Sequence, residues 1–279
     1  MKQNAVGIAM LMIALSGCTG SDPAVRHRDG ILRIKGSDSM VLLLQSWAAE
    51  FMSKHPDISV YTEGGGTGDG IKALIDGSID IAAGSRPMNA EEIRNLAERY
   101  RSVGLSLLTA RDALSIIVHP DNPVSQLSGD QIKKIFTGEI VSWKEVGGMD
   151  APVTVYSREP NSGTFVFFEE HILLGKEFTP NYRTKAGAQA LVHAVAGDVT
   201  GIGYTASAYV RGVKSIDIDG ISAAPENVRN GTYPVSRYFY LYSVHQPEGE
   251  IKQFFDWVLS EEGQGVVKRN GYITLYDIP

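Results

Sequence analysis

Apolar residues follow two alternating periods along most of the chain. Short apolar runs, such as those at 31–34 and 79–83, predict strands. Between such runs, apolar positions recur every three or four residues, as on one face of a helix; the first set is Met40, Leu43, Leu44, Trp47, Ala48 and Phe51. This repeated alternation of strand and helix predicts an α/β fold with mainly parallel sheets.

Local signals mark where several helices begin. Asn89 with Glu92, and Ser128 with Gln131, have the spacing of capping boxes, in which each side chain accepts from the other residue's backbone amide. A further helix is expected to begin near Ser162, after a strand at 153–156.

Two extended runs predict that the chain passes twice between two lobes. An apolar strand at 113–118 leads out of the first lobe, and the aromatic run at 238–244 leads back. We therefore predict a first lobe of residues 31–115 and 237–279, and a second lobe of residues 116–236.

The first residues have the pattern of a targeting segment. Lys2 precedes an apolar run at 5–15 that is too short to cross a bilayer, and Leu15-Ser16-Gly17-Cys18 resembles a bacterial lipobox. Cys18 is the only cysteine, so a disulfide within the chain is excluded. We predict a lipoprotein signal segment at 1–18, lipidation with palmitate at Cys18, and a flexible tether at 19–30. The alternative is an unmodified signal peptide.

This segment predicts export to the bacterial cell envelope. The lipid would hold the folded domain in the periplasm or on the outer face of the cytoplasmic membrane, and we expect a monomer.

Composition and charge exclude several classes of function. The 279 residues are 43% hydrophobic and 21% charged, which is typical of a globular protein, and the net charge of −6 argues against a nucleic-acid partner. The six histidines have no metal-ligand spacing, and no G-x-S-x-G motif occurs. We therefore expect no metal and no cofactor.

The run GGGTGDGIKAL at 64–74 places five glycines directly before a predicted helix. A dinucleotide fingerprint would need a third glycine where Asp69 or Ile71 stands, and a phosphate-binding P-loop would need lysine in place of Ile71. The remaining interpretations are a helix N-terminus that binds a smaller anion, or a glycine-rich turn that only packs.

Two further loops favour the anion site. GSDS at 36–39 and SREPNSGT at 157–164 each lie between a predicted strand and a predicted helix. Each alone is typical of ordinary capping, but helix N-termini from facing lobes would converge on one small anion, with Arg158 supplying a full charge.

These motifs, with DIAAGSRPM at 80–88 and QIKKIFTGEIVSWKEVGG at 131–148, resemble those of the solute-binding lipoproteins of bacterial phosphate ABC transporters. The resemblance covers roughly residues 32–272. It implies a two-lobed, type II-like periplasmic-binding-protein fold that closes on inorganic phosphate, delivers it to permease subunits and performs no chemistry. The ligand-binding residues it implies are Ser37, Asp38, Ser39, Thr67, Gly68, Ser85, Arg86, Arg158, Ser162, Gly163 and Thr164.

One position departs from the family pattern. The best-known members carry an aspartate that accepts a hydrogen bond from protonated phosphate, whereas this chain has Arg86 after Ser85. We hypothesise that Asp38 takes the acceptor role, because those members have a neutral residue in that loop. The alternatives are that Asp38 only caps its helix, and that Arg86 either contacts phosphate or pairs with Asp38.

Three other functions stay open at this stage. The fold could serve an envelope sensor or scaffold that feeds no transporter, or it could bind another oxyanion. A hydrolase would use Ser162 or Thr164 as nucleophile, but no histidine base lies near either residue in the sequence.

Overall fold

The computed structural model describes residues 30–277. This part of the chain forms a mixed α/β fold. Its strands are β1 Ile31–Gly36, β2 Ser59–Glu63, β3 Ile81–Gly84, β4 Leu105–Val118, β5 Gln126–Leu127, β6 Thr154–Arg158, β7 Arg183–Lys185, β8 Gly201–Ala206, β9 Lys214–Ile218 and β10 Ser236–Ser243. Its α-helices are α1 Val41–Lys54, α2 Thr67–Asp76, α3 Ala90–Tyr100, α4 Gly129–Thr137, α5 Gly163–His171, α6 Ala188–Ala196, α7 Pro225–Arg229, α8 Gly249–Leu259 and α9 Glu261–Arg269.

The strands join in the order β2-β1-β3-β10-β4-β8-β6-β7, with β9 pairing to β4 and β5. β1 is parallel to β2 and β3, and β6 is parallel to β7 and β8. The expectation of mainly parallel pairing is only partly met, because β10 runs antiparallel to β3 and β4, and β4 runs antiparallel to β8 and β9.

Strand β4 is longer than the apolar run at 113–118 predicted. Its residues 105–113 pair with β10, and its residues 114–118 pair with β8, so one continuous strand serves both ends of the sheet. The beginning of the strand was missed because the side chains at 105–108 alternate between half-exposed and exposed positions. The proposed lobe boundaries fall within β4 and β10 and stay a prediction.

Each end of the sheet has its own aromatic packing. In the first lobe, Trp47 of α1 donates to the Gly263 carbonyl at 2.9 Å, and Phe51 packs edge-on against Phe254, which ties the C-terminal helices to α1. In the second lobe, Phe168 stacks on Tyr204 with ring centroids 4.2 Å apart. Trp143, which the sequence indicates as core, is fully buried.

The predicted capping boxes are confirmed at two helices. Asn89 and Glu92 exchange side-chain-to-backbone bonds at the start of α3, and Ser128 and Gln131 do the same at α4. Ser162 is the N-cap of α5, as expected from its place after a strand, and accepts from the Thr164 amide. Local sequence therefore determines where these helices begin.

The predicted targeting segment, Cys18 and residues 19–29 of the tether lie outside the described residues. Within residues 30–277, no helix combines the length and the apolar composition that crossing a membrane requires.

Candidate functional site

Four loops meet at the edge of the sheet where parallel strands end. Three of them follow β1, β2 and β3 in the first lobe, and the fourth follows β6 in the second lobe. In open α/β sheets this carboxyl edge is where ligands bind. The predicted anion loops are therefore brought to one place.

Two glycines of these loops allow close backbone approach. A Cβ on Gly36 would lie 2.0 Å from the Ala83 carbonyl oxygen, so only glycine fits where β1 passes β3. Gly66 has φ of 102°, a conformation that favours glycine, and it immediately precedes the first residue of α2. Gly66 therefore gives the glycine run a conformational role in addition to presenting a helix N-terminus.

The carboxylate of Asp38 joins three of the loops. One oxygen accepts from the Gly65 amide at 2.9 Å, and the other lies 2.5 Å from Nη2 of Arg158. Arg158 is buried, and its guanidinium also donates to the carbonyls of Lys185 and Ala186. The alternative that Asp38 only caps its own helix is wrong: Ser37 is the N-cap residue of the short helix Asp38–Met40, which has no side-chain cap.

Buried hydroxyls lie on the same loops and at the starts of α2 and α5. The Ser39 and Thr164 hydroxyls lie 2.9 Å apart across the two lobes, and those of Thr67 and Ser85 lie 3.3 Å apart. Ser37 is also buried, with its amide bonded to the carbonyl of Ala83. A hydroxyl can donate a hydrogen bond to an anion at no cost in charge burial, so this set is suited to an oxyanion.

The two predicted lobes touch at the start of α5. A Cβ on Gly163 would lie 2.3 Å from Oγ1 of Thr67 and 2.7 Å from Oγ of Ser85. Any larger residue here would hold α5 away from the first lobe. The predicted site residue Gly163 therefore permits the close approach of both lobes.

Asn161 forms a second contact between the lobes. Its carbonyl accepts from the Gly68 amide at 3.2 Å, and its side-chain amide donates to the Gly65 carbonyl and to the carboxylate of Asp69, each at 3.2 Å. The Gly68 amide thus donates to Asn161 in this structure, and its predicted contact with a ligand stays a prediction.

Arg86 faces the carboxylate of Glu92, which the sequence indicated only as part of a capping box. Its guanidinium donates to both oxygens of Glu92 at 2.7 and 2.8 Å, and this hydrogen-bonded carboxylate raises the pKa of Arg86 above its ordinary value. Pairing of Arg86 with Asp38 is therefore wrong. The contact of Arg86 with an anion stays a prediction, and Ser85 beside it lies among the site hydroxyls.

Arg237 belongs to the site and was missed. It lies on β10, is 5% exposed, and donates to the hydroxyls of Thr164 and Ser39 while it is paired with Asp112. A signal was present in the sequence: Arg237 and Asp112 are charges within mostly apolar or aromatic strand segments, SRYFYLY and ARDALSII. Charges in such positions are seldom buried unless they are paired.

The arrangement lacks the groups that hydrolysis would need. The hydrogen bonds of the Ser162 and Thr164 side chains go to a backbone amide, to Ser39 and to Arg237, and none goes to a base. Among residues 30–277, no cluster of three or more His, Cys, Asp or Glu side chains could hold a metal ion.

Known proteins are similar in sequence to this chain over most of its length. A family model described as a PBP superfamily domain matches residues 20–262. The phosphate-binding protein PstS of Bacillus subtilis is 31% identical over 100% of this chain and 96% of its own length. PstS of Pseudomonas aeruginosa is 30% identical over 94% of this chain and 90% of its own.

Solved structures show the same similarity. A phosphate ABC transporter substrate-binding protein from Clostridium perfringens, solved with bound phosphate, has a TM-score of 0.83 and 35% identity, covering 88% of this chain and 100% of that one. An ABC-type phosphate transport receptor from Vibrio cholerae has a TM-score of 0.72 and 28% identity, covering 87% and 99%. The predicted α/β periplasmic-binding-protein fold is confirmed.

Proposed function

Because this chain belongs to the PstS family of phosphate ABC transporter substrate-binding proteins, we propose that the buried polar surface around Asp38 and Arg158 binds inorganic phosphate. Proteins of this family are extracytoplasmic transport receptors and not enzymes. The chain is accordingly a binding protein, and the hydrolase hypothesis is abandoned.

The observation that carries the residue-level proposal is the position of the Asp38 carboxylate. It lies where three loops meet, beside Arg158 and the Gly65 amide, while the neighbouring groups are hydroxyls that donate readily. Phosphate at neutral pH keeps a proton that a carboxylate accepts, whereas sulfate has none and would place two negative groups together. Asp38 thus provides the selectivity for phosphate over sulfate, in place of the aspartate that the best-known family members carry where this chain has Arg86.

The charges of the protein groups at the site balance one another, which suits the binding of an anion. Arg158 and Arg237 are offset by Asp38 and Asp112, so the protein contributes no net charge from these four groups. Attraction then comes from directed donors: the hydroxyls, and the N-termini of α2 and α5, which carry partial positive charge.

Isothermal titration of the purified protein, freed of bound anion by mild unfolding and refolding, tests this function. Phosphate, arsenate, sulfate and molybdate are titrated at two pH values. We expect tight binding of phosphate and of its close analogue arsenate, and rejection of sulfate. Equal binding of sulfate or molybdate would instead assign the site to another oxyanion, and the absence of any binding would contradict the proposal.

A lipid anchor at Cys18 is a separate proposal. The apolar run at 5–15 and the Leu15-Ser16-Gly17-Cys18 motif support it. Mass analysis of the N-terminal peptide from bacterial membranes should show a diacylated, palmitate-containing cysteine, and Cys18→Ser should release the protein from the membrane fraction. A free thiol on a membrane-released wild-type protein would contradict the anchor.

Delivery of phosphate to permease subunits, by a monomer, is the remaining part of the proposal. Its support is the family's association with ABC transporters. Radioactive phosphate uptake by cells that lack their own binding protein should be restored by this chain only when its cognate permease genes are present. Uptake that does not depend on the permease would contradict this role.

A further inference from the structure

A buried ion pair lies on the two strands that run between the lobes. Arg237 of β10 pairs with Asp112 of β4 at 2.9 Å, and their side chains are 2% and 0% exposed. Asp112 also accepts from the amide and the hydroxyl of Ser207. Because burying charges costs free energy, stability alone does not explain why this ion pair is present.

The remaining donors of Arg237 reach one hydroxyl from each lobe. Nη1 donates to Oγ1 of Thr164 at 3.0 Å, and Nη2 donates to Oγ of Ser39 at 3.2 Å. The planar guanidinium is flanked by the rings of Phe167 and Phe239, each about 5.5 Å from it. Its orientation is therefore held from three sides: by the carboxylate, the rings and the hydroxyls.

The donor and acceptor roles follow from the chemistry of arginine. A guanidinium has five N–H donors and no acceptor, so the hydroxyl oxygens of Ser39 and Thr164 must accept from Arg237. Each hydroxyl then has one proton left to donate. In the present structure the two hydroxyls are bonded to each other at 2.9 Å, which uses one of the two protons and leaves the other free.

We propose that Arg237 is a positioning residue that holds Ser39 and Thr164 as hydrogen-bond donors towards the bound oxyanion. This inference rests on the proposed function, because it assigns a role at the same site. Because each hydroxyl oxygen accepts from Arg237, its O–H is turned away from the guanidinium and is directed to donate to anion oxygens. Asp38 is left as the acceptor for the proton of phosphate.

The same geometry links ligand binding to lobe closure. Ser39 lies in the predicted first lobe and Thr164 in the second, and a single side chain contacts both hydroxyls. Separation of the lobes would remove at least one of these bonds. Arg237 therefore holds the Ser39 and Thr164 hydroxyls as donors together only when the two lobes are closed.

A double-mutant cycle on the purified protein tests the role of Arg237. Arg237→Lys retains the positive charge but loses the planar set of guanidinium N–H donors. It is made in the wild type and in a Ser39→Ala, Thr164→Val background. Arg229→Lys, at an exposed position of α7, is the matched control. Dissociation constants for phosphate, arsenate, sulfate and molybdate come from titration, and melting temperatures report folding.

In the wild type, Arg237→Lys should weaken binding about 10- to 100-fold, the range for hydrogen bonds involving a charged group. In the background without the hydroxyls, it should change affinity by less than about 3-fold, because its effect is carried by those hydroxyls. Equal losses in both backgrounds would show that the effect of Arg237 does not depend on these hydroxyls and would overturn the proposal.

The hydroxyl variants provide a test that does not require any Arg237 variant to fold. Ser39→Ala and Thr164→Val, made singly, should each weaken anion binding by about 10-fold. Unchanged affinity in both would overturn the proposal. If the wild type bound sulfate in place of phosphate, the proposed function would fail, while the cycle measured with sulfate would still decide the role of Arg237. If it bound no oxyanion, both would fail.

Discussion

The guanidinium of Arg158 lies 2.5 Å from the carboxylate of Asp38, although the two residues are separated by 120 positions in the chain. The pair bridges the predicted lobes. It places an acceptor and a positive charge side by side, which is what a singly protonated oxyanion requires. The proposed acceptor lies on the loop after β1, and Arg86, after β3, is paired with Glu92 instead.

Asp38→Asn is the direct test of the acceptor. Asparagine keeps the shape but offers an N–H where the carboxylate accepted, so phosphate affinity should fall about 10- to 100-fold and rejection of sulfate should weaken. Titration with both anions measures this change. Asp150→Asn, at an exposed position, is the control and should bind like the wild type. Unaltered selectivity in Asp38→Asn would assign the acceptor role to another group.

Gly163→Ala should weaken binding by obstructing closure. The added Cβ would lie 2.3 Å from Oγ1 of Thr67, and overpacking of about 1–3 kcal/mol corresponds to about 5- to 150-fold in affinity. Gly187→Ala, at the N-cap of α6 where nothing lies within 4 Å, is the matched control. Titration and melting of both variants check this. Wild-type affinity in Gly163→Ala would mean that the lobes do not meet at α5 when ligand is bound.

Asn161→Ala should shorten the lifetime of the complex. The variant loses the side-chain bonds to Gly65 and Asp69 that join the lobes, while the main-chain bond to Gly68 remains. The dissociation rate should rise about 3- to 10-fold with little change in the association rate. Stopped-flow fluorescence measures both rates, with exposed Asn95→Ala on α3 as the control. An unchanged dissociation rate would argue against a contact that holds the lobes together.

Stability should fall at alkaline pH because of buried tyrosines. Burial raises the pKa of Tyr204 from 10.0 to about 12, although its bonds to Ser157 and Arg158 lower it in part. The unfolded phenol ionises near pH 10 while the folded one stays protonated. The contribution of Tyr204 to the stability of the folded state is therefore complete below pH 10 and is lost as pH rises from 10 towards 12.

The free energy of unfolding should fall by about 2–3 kcal/mol, because the pKa of Tyr204 is raised from 10.0 to about 12. Denaturant unfolding at pH 8, 10 and 11.5 measures it, with Tyr204→Phe as the comparison. The decline should be smaller in Tyr204→Phe, because phenylalanine has no proton to lose. An equal decline in both proteins would place the pH dependence on other groups, such as Tyr209, whose pKa is also raised to about 12.

Much of the local structure was predictable because its causes lie within a few residues. The capping boxes at Asn89 and Ser128 join positions three apart, and the apolar periods of β1 and α1 depend on neighbouring side chains only. By contrast, the first part of β4 has a mixed pattern, and it becomes a strand through pairing with β10, whose partner residues lie about 120–140 positions away.

The sequence by itself determined the α/β alternation, the loops rich in glycine and hydroxyl residues, and the presence of Arg158 and Asp38 in two of them. Only the tertiary structure decided which of these groups meet. Arg86 pairs with Glu92, Asp38 pairs with Arg158, and Arg237 reaches both lobes. The reason is physical: a hydrogen bond depends on separation in space of about 3 Å, and the pairing of β4 with β10 brings together residues that are far apart in the chain.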